Sequence, residues 1–136
     1  MNIALMAHDR RKELMVQFCI AYCGILAGHD ICATNTTGRL VTEATGLPIT
    51  LYMSRNQGGV QQIGSRIAYN ELDMVLCFCD PLAIEEYQTS VIEIARLCDQ
   101  HNVPFASNIA TAEVLVHGLS RGDLDWRDIV NPKNKK

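Results

Sequence analysis

Five short runs of mainly apolar residues recur along the chain, and they constrain its fold more than any other feature. They occupy residues 2–6, 30–34, 48–53, 72–79 and 104–108, and the apolar residues in each run are continuous rather than strictly alternating. Continuous apolar runs of this length are typical of strands that are covered on both faces. The sequence therefore predicts five buried strands.

The segments between these runs change to a helical spacing of apolar residues. Leu14, Phe18 and Ile25 mark a helix after the first strand, and a shorter helix is predicted at about residues 38–44 after the second. Helices after the last three strands are marked by Val60, Ile63, Ile67, Val91, Ile94, Cys98, Ala112, Leu115 and Leu119. This alternation predicts an α/β protein, a single-domain doubly wound sheet of about five mostly parallel strands with helices on both faces.

Capping signals and chain length complete the predicted organisation. Residues 90–93, Ser-Val-Ile-Glu, match a capping box at a helix start, and Thr111 is placed to cap the last helix. The 136 residues suit one domain, which we assign to residues 1–130, and residues 131–136 are expected to form a frayed tail.

Charge and hydropathy exclude several classes of partner. Twelve basic and fifteen acidic side chains give a net charge of −3 without any block of like charge, so we expect neither nucleic acid nor a membrane as a partner. The longest apolar stretches are well short of the roughly 20 residues of a spanning helix, and no cleavage site follows the first one. We therefore expect a cytoplasmic protein whose six cysteines are buried thiols.

Polar side chains follow the predicted strands, in the loops that line the ligand crevice of such sheets. After the first strand, His8, Asp9 and Lys12 combine an imidazole, a carboxylate and an ammonium group, a set that can hold a small anion and move a proton. After the fourth strand, Asp80 adds a second carboxylate. The alternative is structural: Asp9 caps a helix, Lys12 is solvated and Asp80 forms a loop.

The loops after the second and third strands indicate an anion. Threonines at positions 34, 36 and 37 precede a helix. Hydroxyl and N–H groups at a helix N-terminus can cradle a phosphate, although threonine there can also serve only as a cap. Gly58 and Gly59 allow the backbone to approach a ligand closely, and Ser54 and Arg55 are candidates to reach a phosphate. Together the loops predict the binding of a small phosphate ester.

The order of these motifs resembles that of the methylglyoxal synthase family over about residues 2–128. The matching motifs are Ala7-His8-Asp9 with Lys12, Thr34-x-Thr36-Thr37-Gly38, Gly58-Gly59-x-Gln61, Asp80-Pro81-Leu82 and Ala106-Ser107-Asn108. The resemblance implies a single α/β domain, commonly a homohexamer, that converts dihydroxyacetone phosphate to methylglyoxal and inorganic phosphate with no metal or cofactor. It also implies that His8, Asp9 and Asp80 line the reacting carbons, and that phosphate is bound by Lys12, Thr34, Thr36, Thr37 and Ser54.

Several positions depart from the family's pattern. The family has an Asp after Gly-Gly, the expected general base, and this chain has Val60 there. Tyr87 occupies the position of a family His, and Ser90 that of a nearby Asp. Asn35 replaces a Gly in the threonine loop, and Arg55 with the following Asn replaces Gly-Pro.

Two functions from different classes follow from these departures. The first is a methylglyoxal synthase, a carbon–oxygen lyase, of reduced activity in which Asp9, Asp80 or Glu86 removes the proton. The second is a catalytically silent paralogue that binds a triose phosphate or another small anion. The related regulatory domain of carbamoyl-phosphate synthetase resembles this fold and binds effectors. Both functions predict a small phosphorylated metabolite as the partner.

Overall fold

Five strands form one parallel sheet. They are β1 (Asn2–Ala7), β2 (Asp30–Ala33), β3 (Ile49–Leu51), β4 (Met74–Phe78) and β5 (Phe105–Ala106), and they pair in the order β3-β2-β1-β4-β5. The computed structural model describes residues 1–80, 82 and 85–130, with the side chains of all of these except residues 56, 85–89 and 130. The predicted frayed tail, residues 131–136, lies outside the described residues.

Helices follow every strand and lie on both faces of the sheet. They are α1 (Lys12–Ala21), α2 (Cys23–Leu26), α3 (Asn35–Thr45), α4 (Gly59–Ala68), α5 (Glu85–Gln100), α6 (Ile109–Arg121) and α7 (Arg127–Val130). On one face Ile3 and Leu5 of β1 belong to a core shared with α1, α3 and α6, and on the other face Ala4 and Met6 belong to a core shared with α4 and α5. Alternate residues of β1 thus reach different cores, which explains its continuous apolar run and confirms the predicted doubly wound α/β class.

The prediction of five buried strands is wrong for β3. This strand lies at the edge of the sheet, and its residues Thr50 and Leu51 are exposed. An edge strand has a neighbour on one side only, so its apolar run does not require burial on both faces.

Three predicted helix starts are wrong. The helix α3 begins at Asn35, three residues before the predicted start, and α5 begins at Glu85, so Ser90 lies inside a helix instead of capping one. Asn108 caps α6, because its side-chain oxygen accepts a hydrogen bond from the backbone N–H of Thr111 at 3.0 Å. Thr111 is therefore the capped residue and not the cap.

The cysteine prediction is confirmed for four of the six thiols. Cys19, Cys32, Cys77 and Cys98 are buried, Cys23 and Cys79 are half-buried, and no disulfide joins any of the six. Burial raises the pKa of Cys19 and of Cys98 to about 12, as expected for thiols that serve as small apolar residues.

The edge of the sheet at which the strands begin is closed by a buried ion pair that the sequence does not indicate. Nε of Arg127 donates to Asp73 at 3.0 Å, and its Nη2 donates to the carbonyl of Leu72 at 3.1 Å. The second oxygen of Asp73 accepts from the N–H of Asn2 at 2.8 Å. Arg127 and Asp73 are 1% and 0% exposed, so α7 is tied to the sheet through a desolvated pair.

Topology places the polar loops together at the opposite edge. β1 lies in the centre, between β2 and β4, and the connections leave it in opposite directions on its two sides, which is where ligands bind in sheets of this kind. Among the helices that the structure describes, none has the length and apolar character needed to cross a membrane.

Candidate functional site

The segment after β1 carries the first polar cluster of the crevice. Residues Asp9–Arg11 form one turn of 3₁₀ helix that leads into α1, and Nδ1 of His8 accepts from the N–H of Arg10 at 3.3 Å. Lys12, at the start of α1, donates to Oδ1 of Asp9. This hydrogen bond and the lysine charge, with smaller effects of Arg55 and His8, lower the pKa of Asp9.

Asp80, the predicted carboxylate after β4, lies against the same cluster. It is only 6% exposed, and its Oδ1 accepts from the N–H of Leu82 at 2.9 Å. Its Oδ2 lies 3.9 Å from Nδ1 of His8 and 3.8 Å from Nη1 of Arg10. The structure thus brings His8 and Asp80 together as the sequence predicts, and adds Arg10, which the sequence analysis did not single out.

The threonine loop forms the N-terminal turn of α3. Thr34 occupies the cap position, and its hydroxyl donates to the hydroxyl of Thr37 at 3.4 Å. Thr34 and Thr37 are 5% and 1% exposed, whereas Thr36 is exposed at the helix surface. Two hydroxyls are therefore buried at the positive end of a helix of 11 residues.

The loop after β3 is fixed by its own backbone and lies beside the threonine loop. The N–H of Asn35 donates to the carbonyl of Met53 at 3.4 Å, which joins the two loops. The backbone carbonyl of Ser54 accepts from the N–H of Gly59 at 3.0 Å, and Ser54 precedes a short 3₁₀ turn, Arg55–Gln57. Oε1 of Gln62, in α4, accepts from the N–H of Met53 at 2.7 Å. The sequence does not indicate this role for Gln62.

The two glycines of this loop have structural reasons for being glycine. Gly58 has a φ of +100°, in the left-handed region that side chains disfavour. A Cβ on Gly59 would lie 2.0 Å from the carbonyl oxygen of Met53. Gly59 therefore lets the start of α4 pack against its own preceding loop, and the predicted close approach to a ligand remains a prediction.

Arg55 lies on the inner side of this loop. Its side chain is half-buried, with Nη1 buried, and its charge is close enough to Asp9 to contribute to the lowered pKa of that carboxylate. Lys12 and Arg55 thus both act on Asp9. The crevice has two permanent cations beside one exposed carboxylate, while the buried carboxylate of Asp80 has Arg10 and His8.

Val60, at the expected base position, belongs to the apolar core. It is the second residue of α4, is 4% exposed and shares a core with Met6 and Cys77. It cannot accept a proton. The side chains of Tyr87 and Glu86 lie outside the described residues, so neither can be placed relative to Val60.

The last predicted motif lies on the far side of β4. Ser107 and Asn108, at the end of β5, line a separate cavity of about 320 Å³ together with Arg11, Leu14, Phe78, Cys79 and Ile109. On the near side, Asp9 and Lys12 border a groove of about 580 Å³ between α1 and α3. Across the described part of the chain, no group of three or more His, Cys, Asp or Glu side chains has the arrangement of a metal site.

These elements define an α/β protein with a polar crevice at the carboxyl edge of a parallel sheet, and known proteins share this design. A family profile described as an MGS-like domain matches residues 15–107. A methylglyoxal synthase of Caldicellulosiruptor saccharolyticus is 58% identical over 136 residues, which cover 100% of this chain and 96% of that protein. A methylglyoxal synthase of Oceanobacillus iheyensis is 49% identical over 136 residues, covering 100% and 97%.

A solved structure supports the same assignment. The crystal structure of methylglyoxal synthase from Elizabethkingia anophelis NUHP1 superposes with a TM-score of 0.75 at 35% identity, covering 85% of this chain and 76% of that one. The chain therefore belongs to the methylglyoxal synthase family, as its loop motifs predict.

Proposed function

We propose that this family member binds dihydroxyacetone phosphate or a similar small phosphate monoester, with the phosphate at the N-terminus of α3. The observation that carries the proposal is the pair of buried hydroxyls of Thr34 and Thr37 in the first turn of that helix. Backbone N–H groups and the helix dipole at such a turn favour an anion. Lys12, at the start of the neighbouring helix α1, and Ser54 complete the proposed phosphate site.

The family's reaction begins with removal of a C3 proton from dihydroxyacetone phosphate, and the phosphate then leaves. A positioned base contributes typically 10² to 10⁴-fold to such a step. Val60 cannot serve, and Asp9 is a weakened base because Lys12 lowers its pKa. Among the described carboxylates, we favour Asp80, because its Oδ2 lies 3.9 Å from Nδ1 of His8, a second group that can move a proton. We therefore propose slow turnover that depends on Asp80.

A second candidate function is a silent binding protein that senses a phosphorylated metabolite. The apolar surroundings of Val60 favour it, because nothing about this position would help a proton to leave carbon. In either case we propose a homohexamer in the cytoplasm. This part of the proposal rests on the resemblance to the family.

The test is to measure binding and turnover separately. Calorimetry with dihydroxyacetone phosphate should give saturable binding, and Thr37→Val should weaken it about tenfold or more, because a hydrogen bond to a charged group contributes about 1.5–3 kcal/mol. Thr42→Val, the same change at an exposed position of α3, should leave binding unchanged. Binding that ignores the Thr37 change would contradict the proposed phosphate site.

Turnover distinguishes the two candidates. Methylglyoxal release should exceed the spontaneous decomposition of the substrate but fall well below the roughly 1 to 10³ per second of ordinary enzymes. Release within that range would refute the slow reaction, and release equal to an enzyme-free blank would favour the silent binding protein.

A further inference from the structure

Arg10 and Arg11 are adjacent residues of the 3₁₀ turn after β1, but they contact different parts of the molecule. Nη1 of Arg10 lies 3.8 Å from Oδ2 of Asp80, and the side chain of Arg10 is 75% exposed. Arg11 instead lines the separate cavity on the far side of β4, together with Leu14 and Phe78. The turn therefore places one of two neighbouring guanidinium groups beside the buried carboxylate.

The carboxylate of Asp80 depends on a nearby positive charge because it is buried. A buried carboxylate stays ionised where hydrogen bonds and opposite charges replace the lost water. Oδ1 accepts from the N–H of Leu82, and Oδ2 has His8 and Arg10 within 4 Å. Nδ1 of His8 accepts from the backbone N–H of Arg10, so this atom carries a lone pair and offers no proton to Asp80. Arg10 is therefore the permanent cation beside Oδ2.

The proposed reaction requires Asp80 to be ionised. When Asp80 acts as the base, the C3–H bond of dihydroxyacetone phosphate breaks and its proton moves to a carboxylate oxygen. The electron pair of that bond stays on the substrate as the enediolate. Only the carboxylate anion can accept this proton, so a cation that favours the anion increases the fraction of molecules able to react.

We propose that Arg10 is a positioning residue for this step, whose guanidinium group keeps the Asp80 carboxylate ionised and in place to accept the proton. The proposal rests on the proposed function, in which Asp80 is the base. Arg10 acts through Asp80 and not on the substrate, so its removal should lower turnover and leave substrate binding as it is.

The test compares kcat and KM for dihydroxyacetone phosphate in the wild type and in three variants, each corrected with an enzyme-free blank. Arg10→Gln should lower kcat about tenfold near pH 6, and by less as the pH rises, because a higher pH ionises the carboxylate without the cation. KM should stay within about twofold. Arg10→Lys keeps the charge and should retain most of kcat. Arg11→Gln removes the same charge one residue away and should match the wild type.

A salt series tests the same contact without any substitution. Because Arg10 is exposed, salt screens its charge, and the screening length shortens from about 10 Å at 0.1 M to about 3 Å at 1 M. At saturating substrate, kcat of the wild type should fall severalfold over this range, whereas kcat of Arg10→Gln should hardly change. The wild-type series is a test by itself if a variant does not fold.

Each outcome bears on a different claim. An Arg10→Gln protein with the kcat of Arg11→Gln, or a wild-type kcat that ignores salt, would overturn the role of Arg10 and leave the proposed function standing. A change in KM alone would also overturn it, because Arg10 would then act in binding. Unchanged turnover in Asp80→Asn would instead refute Asp80 as the base. Turnover equal to the blank in the wild type would refute the slow reaction and the role of Arg10 together.

Discussion

Under the proposed function, a carboxylate at position 60 should accelerate removal of the C3 proton of dihydroxyacetone phosphate. Val60→Asp places a carboxylate on the second residue of α4, where the helix N-terminus favours a negative charge by about 0.3–1 kcal/mol. The change removes a buried valine, whose burial contributes about 1.5–3 kcal/mol. Burial of the unpaired carboxyl group costs about 1–3 kcal/mol more, and the resulting loss of about 2–5 kcal/mol is below the usual 5–15 kcal/mol of a domain. The variant should therefore fold.

The expected gain in turnover is at least tenfold. A general base contributes typically 10² to 10⁴-fold, and the absence of the family's His, at the position of Tyr87, limits how much of this returns. Because burial disfavours the charged form, the pKa of the new carboxylate should lie above its ordinary value. The gain should consequently grow as the pH rises through that raised pKa and the base becomes ionised.

The assay compares methylglyoxal release from dihydroxyacetone phosphate by the wild type, Val60→Asp and Val60→Asn, each corrected with an enzyme-free blank. Val60→Asn has nearly the same shape and polarity but cannot accept a proton at neutral pH, so it should remain at the wild-type level. Thermal unfolding and substrate binding establish that the variants are intact. A folded, substrate-binding Val60→Asp that releases no more product than Val60→Asn would refute the reasoning.

Three further predictions follow from single contacts. Lys12→Met should weaken phosphate-ester binding about tenfold or more, and NMR titration should show the pKa of Asp9 rising toward its ordinary value. Because the pKa of Asp9 is lowered in the folded state, the stability that this pair contributes is present at neutral pH. That stability is lost as the pH falls through the lowered pKa, below 3.8. An unchanged Asp9 titration would show that Lys12 is not its main partner. Asn108→Ala should cost about 1 kcal/mol in urea unfolding, whereas Thr111→Ala should cost much less, since only Asn108 supplies a capping side chain. The reverse order would restore Thr111 as the cap. Arg127→Met should cost about 3–5 kcal/mol by leaving Asp73 buried without its cation, whereas Arg121→Met, which breaks an exposed pair with Asp123, should cost under about 1 kcal/mol. Equal costs would mean that the buried pair contributes no more than a surface one.

The central strands could be predicted because burial on both faces leaves a direct trace in the sequence, whereas the apolar run of β3 belongs to a partly exposed edge strand. Ile3, Ala4, Leu5 and Met6 read as one apolar run since successive side chains enter two different cores. Helix starts were harder to predict, because the sequence alone does not distinguish a polar residue at a helix cap from one inside a helix, such as Ser90.

The site could be predicted as a set of loops but not as a set of contacts. His8, Asp9 and Asp80 were predicted from their positions after strands, and parallel topology alone brings such positions to one edge. The role of Arg10 beside Asp80 depends on the 3₁₀ turn after His8. The pair of Arg127 and Asp73 joins residues 54 apart in sequence, a separation over which local patterns carry no signal.

The threonine loop and position 60 differ in how much they depend on side-chain identity. The start of α3 and the hydrogen bond from the N–H of Asn35 to the carbonyl of Met53 hold the threonine loop in place, and both are backbone features. Position 60 contributes only a side chain, which packs in the apolar core. Under the proposed function, a change at Val60 alters the groups available for proton transfer and leaves the backbone of the threonine loop as it is. Exchanging Val60 alone therefore separates phosphate binding from proton transfer.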